Sequence, residues 1–288
     1  MNLPESAVRF GRSNNLIGVL TEPAESPPVQ QPAVLLLSPG VVHSAGPFRM
    51  YVELARALAG LGFTVLRFDM AGIGDSVQPR DAHTVKERTI EDVTDAMDFL
   101  TRRLNVRSFV LGGLCSAADD AHALANVDDR VVANIMLDGF AFPTWRFHVR
   151  RVTSKFAAPS VIARASARLS REIKSRLEAS SEDSLPPHVP RPFPNGKTFR
   201  SEVRESLKRG VQYLCIFSGG VDYYNYEGQF RRFMGISSSD SGLTEVYIHE
   251  AEHTYPISAH RSRMVEVVSQ WTSARFGKGY PKPCSIGR

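Results

Sequence analysis

Cys115 lies in the run "VLGGLCSAADDAHALA" (residues 110–125), where a β-prone segment passes into a helix-prone one with almost no spacer. A nucleophile carried on so sharp a strand-to-helix turn needs small residues two before and two after it, because larger side chains would collide there. Gly113 and Ala117 meet that need around Cys115, whereas the neighbouring Ser116 is flanked by Leu114 and Ala118. The helix beginning behind the turn aims its N-terminal dipole at the sulfur, which favours a thiolate. The chemistry on offer is attack by sulfur on an electrophilic carbon. The competing reading is a free cysteine that fills space as a small hydrophobe. A base, an acid and an anion-stabilising site must come from elsewhere in the chain before the first reading holds.

Around this turn the chain alternates. "AVRF" and "LIGVLTEP" flank the turn-rich "GRSNN", a hairpin signal. "PAVLLLSPG" reads as a strand buried on both faces, and "FRMYVELARALAGLG" as a helix with an apolar stripe at Met50, Leu54, Leu58 and Leu61. Strand "FTVLRFDMAGIGDS", helix "TVKERTIEDVTDAMDFLTRRL", strand "SFVLGG", helix "SAADDAHALA" and strand "RVVANIMLDG" follow. Strand–helix alternation with short connections specifies a parallel sheet with helices on both faces. The glycines of "FDMAGIGDS" do not match a dinucleotide fingerprint and no phosphate-loop lysine follows, so Asp69 and Asp75 are read as loop formers.

The rhythm breaks over residues 141–208, which hold no convincing buried strand. "PSVIARASARLSREIKSRLEA" reads as a polar amphipathic helix and "SSEDSLPPHVPRPFPNGKT" as a proline-rich loop. Alternation resumes with "VQYLCIFSGG", a short helix near 225–234, the strand "TEVYIH" and the final helix "PISAHRSRMVEVVSQWTSARF". The expected organisation is a core of residues 1–140 and 209–279, a helical and basic cap inserted at 141–208, and a loose tail at 280–288.

This order of motifs resembles the α/β-hydrolase superfamily: "SPGVVHSAGPFRMYVELARALAGLGFTVLRFDMAGIGDS", then "GLCSA", then "EHTYP". The resemblance covers nearly everything but the cap. Its nearest branch is the Cys-containing hydrolases related to serine aminopeptidases, including those associated with exosortase loci. Two departures stand out: cysteine replaces the usual serine at position 115, and Ala117 replaces the second glycine. The resemblance implies a nucleophile, acid and histidine in that chain order. Of the eight histidines, His249, His253 and His260 lie in the right region, and His253 alone falls in the loop before the last helix. Asp222, just after "YLCIFSGG", is the expected acid; Asp138, at the end of "IMLD", is the alternative, and Glu227 a third choice. The oxyanion hole is expected from the backbone N–H groups of Val41 and Ser116, with Gly40 letting the chain bend. His43 is read equally as lining the pocket or as a surface loop residue.

Bulk properties agree with such an enzyme. The 288 residues carry a net charge of +5, 42% are hydrophobic, and three cysteines (Cys115, Cys215, Cys284) show neither disulfide nor metal-ligand spacing. With no signal pattern and no spanning apolar run, a cytoplasmic protein is expected. The basicity is local: residues 146–176 hold nine Arg and Lys against one acid, Glu172. This segment is either a solvated helix face or a surface attracting an anionic acyl substrate, linked to coenzyme A or an acyl carrier protein. Nothing points to nucleic acid, a cofactor or a metal, and the oligomeric state is open. The function expected is a thioesterase or esterase using an acyl-cysteine; the alternatives are an acyltransferase with the same intermediate, and a non-catalytic binding protein of this fold.

Overall fold

The computed structural model describes residues 3–24, 31–79, 83–156 and 193–277. Eight strands make one sheet: β1 (Glu5–Phe10), β2 (Leu16–Thr21), β3 (Ala33–Leu37), β4 (Val65–Phe68), β5 (Phe109–Leu114), β6 (Val131–Leu137), β7 (Gln212–Ser218) and β8 (Leu243–Ile248). Their order is β1-β2-β4-β3-β5-β6-β7-β8. The β1–β2 hairpin turns at "GRSNN", where Gly11 and Asn14 take positive φ, and β2 pairs antiparallel to β4. From β4 onward every pairing is parallel.

Parallel neighbours require crossovers, and the helices supply them on both faces. Helix α1 (Met50–Gly60) and the last helix, α7 (Ser258–Phe276), cover one face, where Tyr51, Leu54 and Leu58 pack with Val34, Leu36, Met264 and Val268. Helices α2 (Val85–Leu104) and α3 (Ser116–Val127) cover the other. Helix α2 starts on a reciprocal cap: the Thr84 side chain accepts from the Glu87 amide, and the Glu87 carboxylate accepts from the Thr84 amide. The predicted apolar stripe of α1 holds through Leu58, but Leu61 lies beyond the helix end and is exposed.

Between β6 and β7 stand α4 (Trp145–Phe156) and α5 (Gly196–Lys208); α6 (Gln229–Met234) follows β7. Helix α5 differs from the expected cap. Its Phe199 and Val203 are buried in the same hydrophobic cluster as Tyr213 of β7 and Met234 of α6, so this stretch packs into the core beside α3 and α6. The amphipathic reading at 159–179, most of the basic run and the tail at 280–288 lie outside the described residues. No described helix is long and apolar enough to cross a membrane.

The chain leaves β3 toward β4 on one side and later returns as β5 on the other. The carboxyl ends of β3 and β5 therefore flank a topological switch point, where open α/β sheets leave a crevice. Cys115 and the Gly40 loop both lie there.

Candidate active site at the strand-to-helix turn

Cys115 joins β5 to α3 with φ 57° and ψ −120°, a conformation that side chains rarely adopt. Its N–H donates to the Leu137 carbonyl at 2.8 Å, which anchors the turn to β6. The small residues around it are a steric requirement: a Cβ on Gly113 would meet Ala117 at 2.5–2.7 Å. From below, the buried Tyr51 hydroxyl accepts from the Leu114 N–H at 2.8 Å. The sulfur is half-buried and sits at the first residue before helix α3, as the sequence pattern required.

The imidazole of His253 hydrogen-bonds both to Asp138 and to Cys115. Nδ1 lies 2.9 Å from Asp138 Oδ2, which leaves Nε2 for the sulfur. The ring's pKa is raised to about 9, mainly by the Asp138 hydrogen bond and then by that to Cys115, against the opposing effect of burial. So large a shift favours the protonated ring at neutral pH, and a cation beside a thiol favours its thiolate form. His249 follows β8 on the surface, and His260 lies within α7.

The carboxylate on His253 is Asp138's, and the expectation of Asp222 is corrected. Asp138 ends β6 with φ 48° and is fully buried. Its Oδ1 accepts from the Ser218 N–H at 2.6 Å, and its Oδ2 accepts from the Ser218 hydroxyl at 2.7 Å as well as from His253. The Tyr223 hydroxyl donates to the Asp138 carbonyl at 2.9 Å. Asp222 is exposed instead. The reason lies in the preceding glycines: a Cβ on Gly219 would fall 1.9 Å from the His249 carbonyl oxygen, and one on Gly220 2.3 Å from the His253 nitrogen. The glycine pair is a groove for the histidine loop, and it does not turn the next carboxylate inward. Glu227 is likewise exposed, at the start of α6.

Facing the turn, Gly40 and Val41 form a tight bend closed by the Val42 N–H to the Pro39 carbonyl at 2.9 Å, with Gly40 at φ 53°. The Gly40 N–H donates to Ser116 Oγ at 3.0 Å, so the two loops are joined. His43 accepts from the Ala45 N–H through Nδ1 and reaches Asp69 Oδ2 with Nε2 at 3.3 Å. The buried Asp69 carboxylate also accepts from the Ser44 and Asp75 amides at 2.6 and 3.2 Å. His43, Asp69 and Asp75 are the one described group whose ligand atoms could gather around a cation. With backbone N–H groups already filling the Asp69 oxygens, the cluster fits a loop clamp, the part read for Asp69 and Asp75 from sequence.

Sequence reasoning placed Cys115, His253, Val41 and Ser116 around one crevice, but it missed Ser218 and Tyr223 beside Asp138. No local pattern marks either residue. On α4, Phe147 is buried and Trp145 is exposed, while the Phe156 side chain lies outside the described residues. Arg146 and Arg150 are exposed on α4, and the Arg146 guanidinium covers the Tyr226 ring.

No protein-family profile matches this sequence, and no curated protein does. Solved structures do. A lidless α/β serine hydrolase from Xanthomonas campestris superposes with a TM-score of 0.58 at 14% identity, covering 98% of this chain and 99% of its own. An esterase from Pyrococcus furiosus gives 0.59 at 12% identity, with coverage of 96% and 92%. The esterase domain of a Rhodothermus marinus protein gives 0.55 at 18% identity, with coverage of 94% and 99%. The class is thereby defined: the chain has the α/β-hydrolase fold, a predominantly parallel sheet covered by helices on both faces.

Proposed function

We propose that this protein is an acyl-transfer hydrolase acting on an ester or thioester through an acyl-cysteine. The Cys115 thiolate adds to the acyl carbon, and the carbonyl oxygen becomes an oxyanion facing the N–H groups of Val41 and Ser116. The tetrahedral adduct collapses, the bond to the leaving alkoxide or thiolate breaks, and His253 Nε2 gives that group its proton. The neutral ring then takes a proton from water, whose oxygen attacks the thioester. Collapse of the second adduct expels the Cys115 sulfur and releases the carboxylic acid. Asp138 holds the ring's Nδ1–H throughout, fixing tautomer and orientation and favouring the imidazolium. No redox partner or metal is consumed in this cycle.

The observation that carries the reading is one imidazole bonded to both a buried carboxylate and the sulfur of a strained strand-to-helix turn. A space-filling cysteine needs neither partner. Cys215 offers the contrast: it is fully buried in β7, and burial pushes its thiol pKa up. A sulfur nucleophile also suits thioester substrates, since acyl exchange between two sulfurs is close to balanced in energy.

Intact-mass analysis after exposure to p-nitrophenyl acetate tests the proposal. A single acetyl adduct mapping to Cys115, accompanied by a burst of p-nitrophenol and absent in Cys115→Ala, is the expected result. Acetylation that persists in that variant would overturn it.

A further inference from the structure

We propose that the Ser116 side chain is a positioning residue that sets the oxyanion loop, so that one residue governs both halves of the hole. The inference rests on the acyl-cysteine reading above and adds a determinant of its rate. Ser116 offers its backbone N–H as one donor. Its hydroxyl oxygen, 3.0 Å from the Gly40 nitrogen, accepts the N–H that immediately precedes the other donor, Val41.

The local geometry makes that contact matter. The bend at Pro39–Val42 is closed by a single backbone hydrogen bond, and Gly40 sits at φ 53° with no side chain to hold it. Val41 does not hold the loop by packing, because its side chain is 87% exposed. The far end of the loop is clamped by Asp69, which accepts from the Ser44 amide at 2.6 Å. At the near end, the Met70 N–H reaches Ser38 Oγ at 3.4 Å. Between those clamps the Gly40–Ser116 contact is the one described hydrogen bond tying the loop to the nucleophile turn. It fixes the Pro39–Gly40 peptide plane, one Cα before the plane that carries the Val41 N–H, and so narrows the range over which that second plane can turn. Transition-state stabilisation depends on donors being aimed at the developing charge before it forms. A loop free to swing would keep the thiolate but lose the aim of one donor.

Two reactions of the same sulfur separate these effects. Alkylation by iodoacetamide needs a thiolate and no oxyanion hole, whereas acylation by p-nitrophenyl acetate needs both. In Ser116→Ala the acylation rate constant should fall by about tenfold to a hundredfold, short of the loss of a whole donor. The alkylation rate and its pH profile should match those of the wild type, which also reports an intact fold and turn. Ser116→Thr keeps the accepting oxygen and should restore most of the acylation rate. Equal acylation rates in wild type and Ser116→Ala would overturn the inference, as would a parallel fall in acylation and alkylation. A wild type that alkylates at Cys115 yet shows no acylation would instead overturn the functional reading, and the inference with it.

Discussion

Two of the described histidine–carboxylate pairs, His253–Asp138 and His122–Glu202, are arranged in opposite senses. At the crevice, the Asp138 carboxylate is fully buried while the His253 side chain is 34% exposed, its ring shared with Cys115. On the α2–α3–α5 face, His122 is 5% exposed and its partner Glu202 is 42% exposed, with a ring-to-carboxylate distance of 3.3 Å. The other ring nitrogen of His122 meets the Tyr213 hydroxyl at 3.1 Å, and Phe199 packs 4.6 Å from the ring centroid. One pair hides the charge and presents the ring; the other hides the ring and leaves the charge in water. Of these two rings, only the first is open to the crevice. Backbone conformation follows the same division: Cys115 and Asp138 sit at positive φ, whereas His122 lies in an ordinary helix. Strain of this kind persists where the surrounding structure enforces it, and here two residues of the candidate site carry it.

Substitutions can break that contrast, the largest effect coming first. Cys115→Ala should lower ester turnover by at least about a thousandfold, as expected when a nucleophile is removed from a cooperating set. Asp138→Asn, which leaves the ring without its anionic partner, should lower it by about 10²–10⁴-fold. Asp222→Asn should leave turnover within twofold, about the limit of such an assay. Comparison of steady-state rates for these two asparagine variants measures directly which strand supplies the acid. His122→Leu removes one of the Tyr213 hydroxyl's partners, leaving it Ser206, and should cost about 1 kcal/mol in a urea melt, with the acylation rate of the folded fraction unchanged. A rate loss in that variant would show that the two pairs are not functionally separate.

The smallest effect is one of pH. The folded-state pKa of His253 is raised from 6.5 to about 9. Its contribution to stability is therefore complete below about 6.5 and is lost as pH rises through about 9. The difference in denaturation midpoint between wild type and His253→Gln should shrink across that window. A difference that grows with pH would contradict the direction of the shift.

Much of this was legible in the sequence because steric need and periodicity are local. The spacing of Gly113, Cys115 and Ala117 reports the close approach of α3 to β5, and the alternating apolar runs report the crossovers. His253 was singled out because it falls well inside the loop between β8 and α7, whereas His249 directly follows the strand and His260 is within the helix. The acid was not decided at that level. β6 and β7 run side by side, with Leu137 opposite Ile216, so both strands end near the same imidazole with an aspartate close behind. What separates Asp138 from Asp222 is a positive φ at one and a glycine groove filled by backbone before the other, and neither has a local signature. The link between Gly40 and Ser116 spans 76 residues and joins two loops that only the folded sheet brings together. The α5 segment misled because its charged residues mask two buried apolar ones, Phe199 and Val203.

The central claim is that the His253 ring is held between Asp138 and Cys115 as an imidazolium. An NMR titration of the His253 ring carbon-bound protons tests it in wild type, Asp138→Asn and Asp222→Asn. The account predicts a midpoint of about 9 in the wild type, a marked fall in Asp138→Asn, and no change in Asp222→Asn. A wild-type midpoint at the ordinary histidine value of about 6.5, or one that moves with Asp222 in place of Asp138, would contradict it.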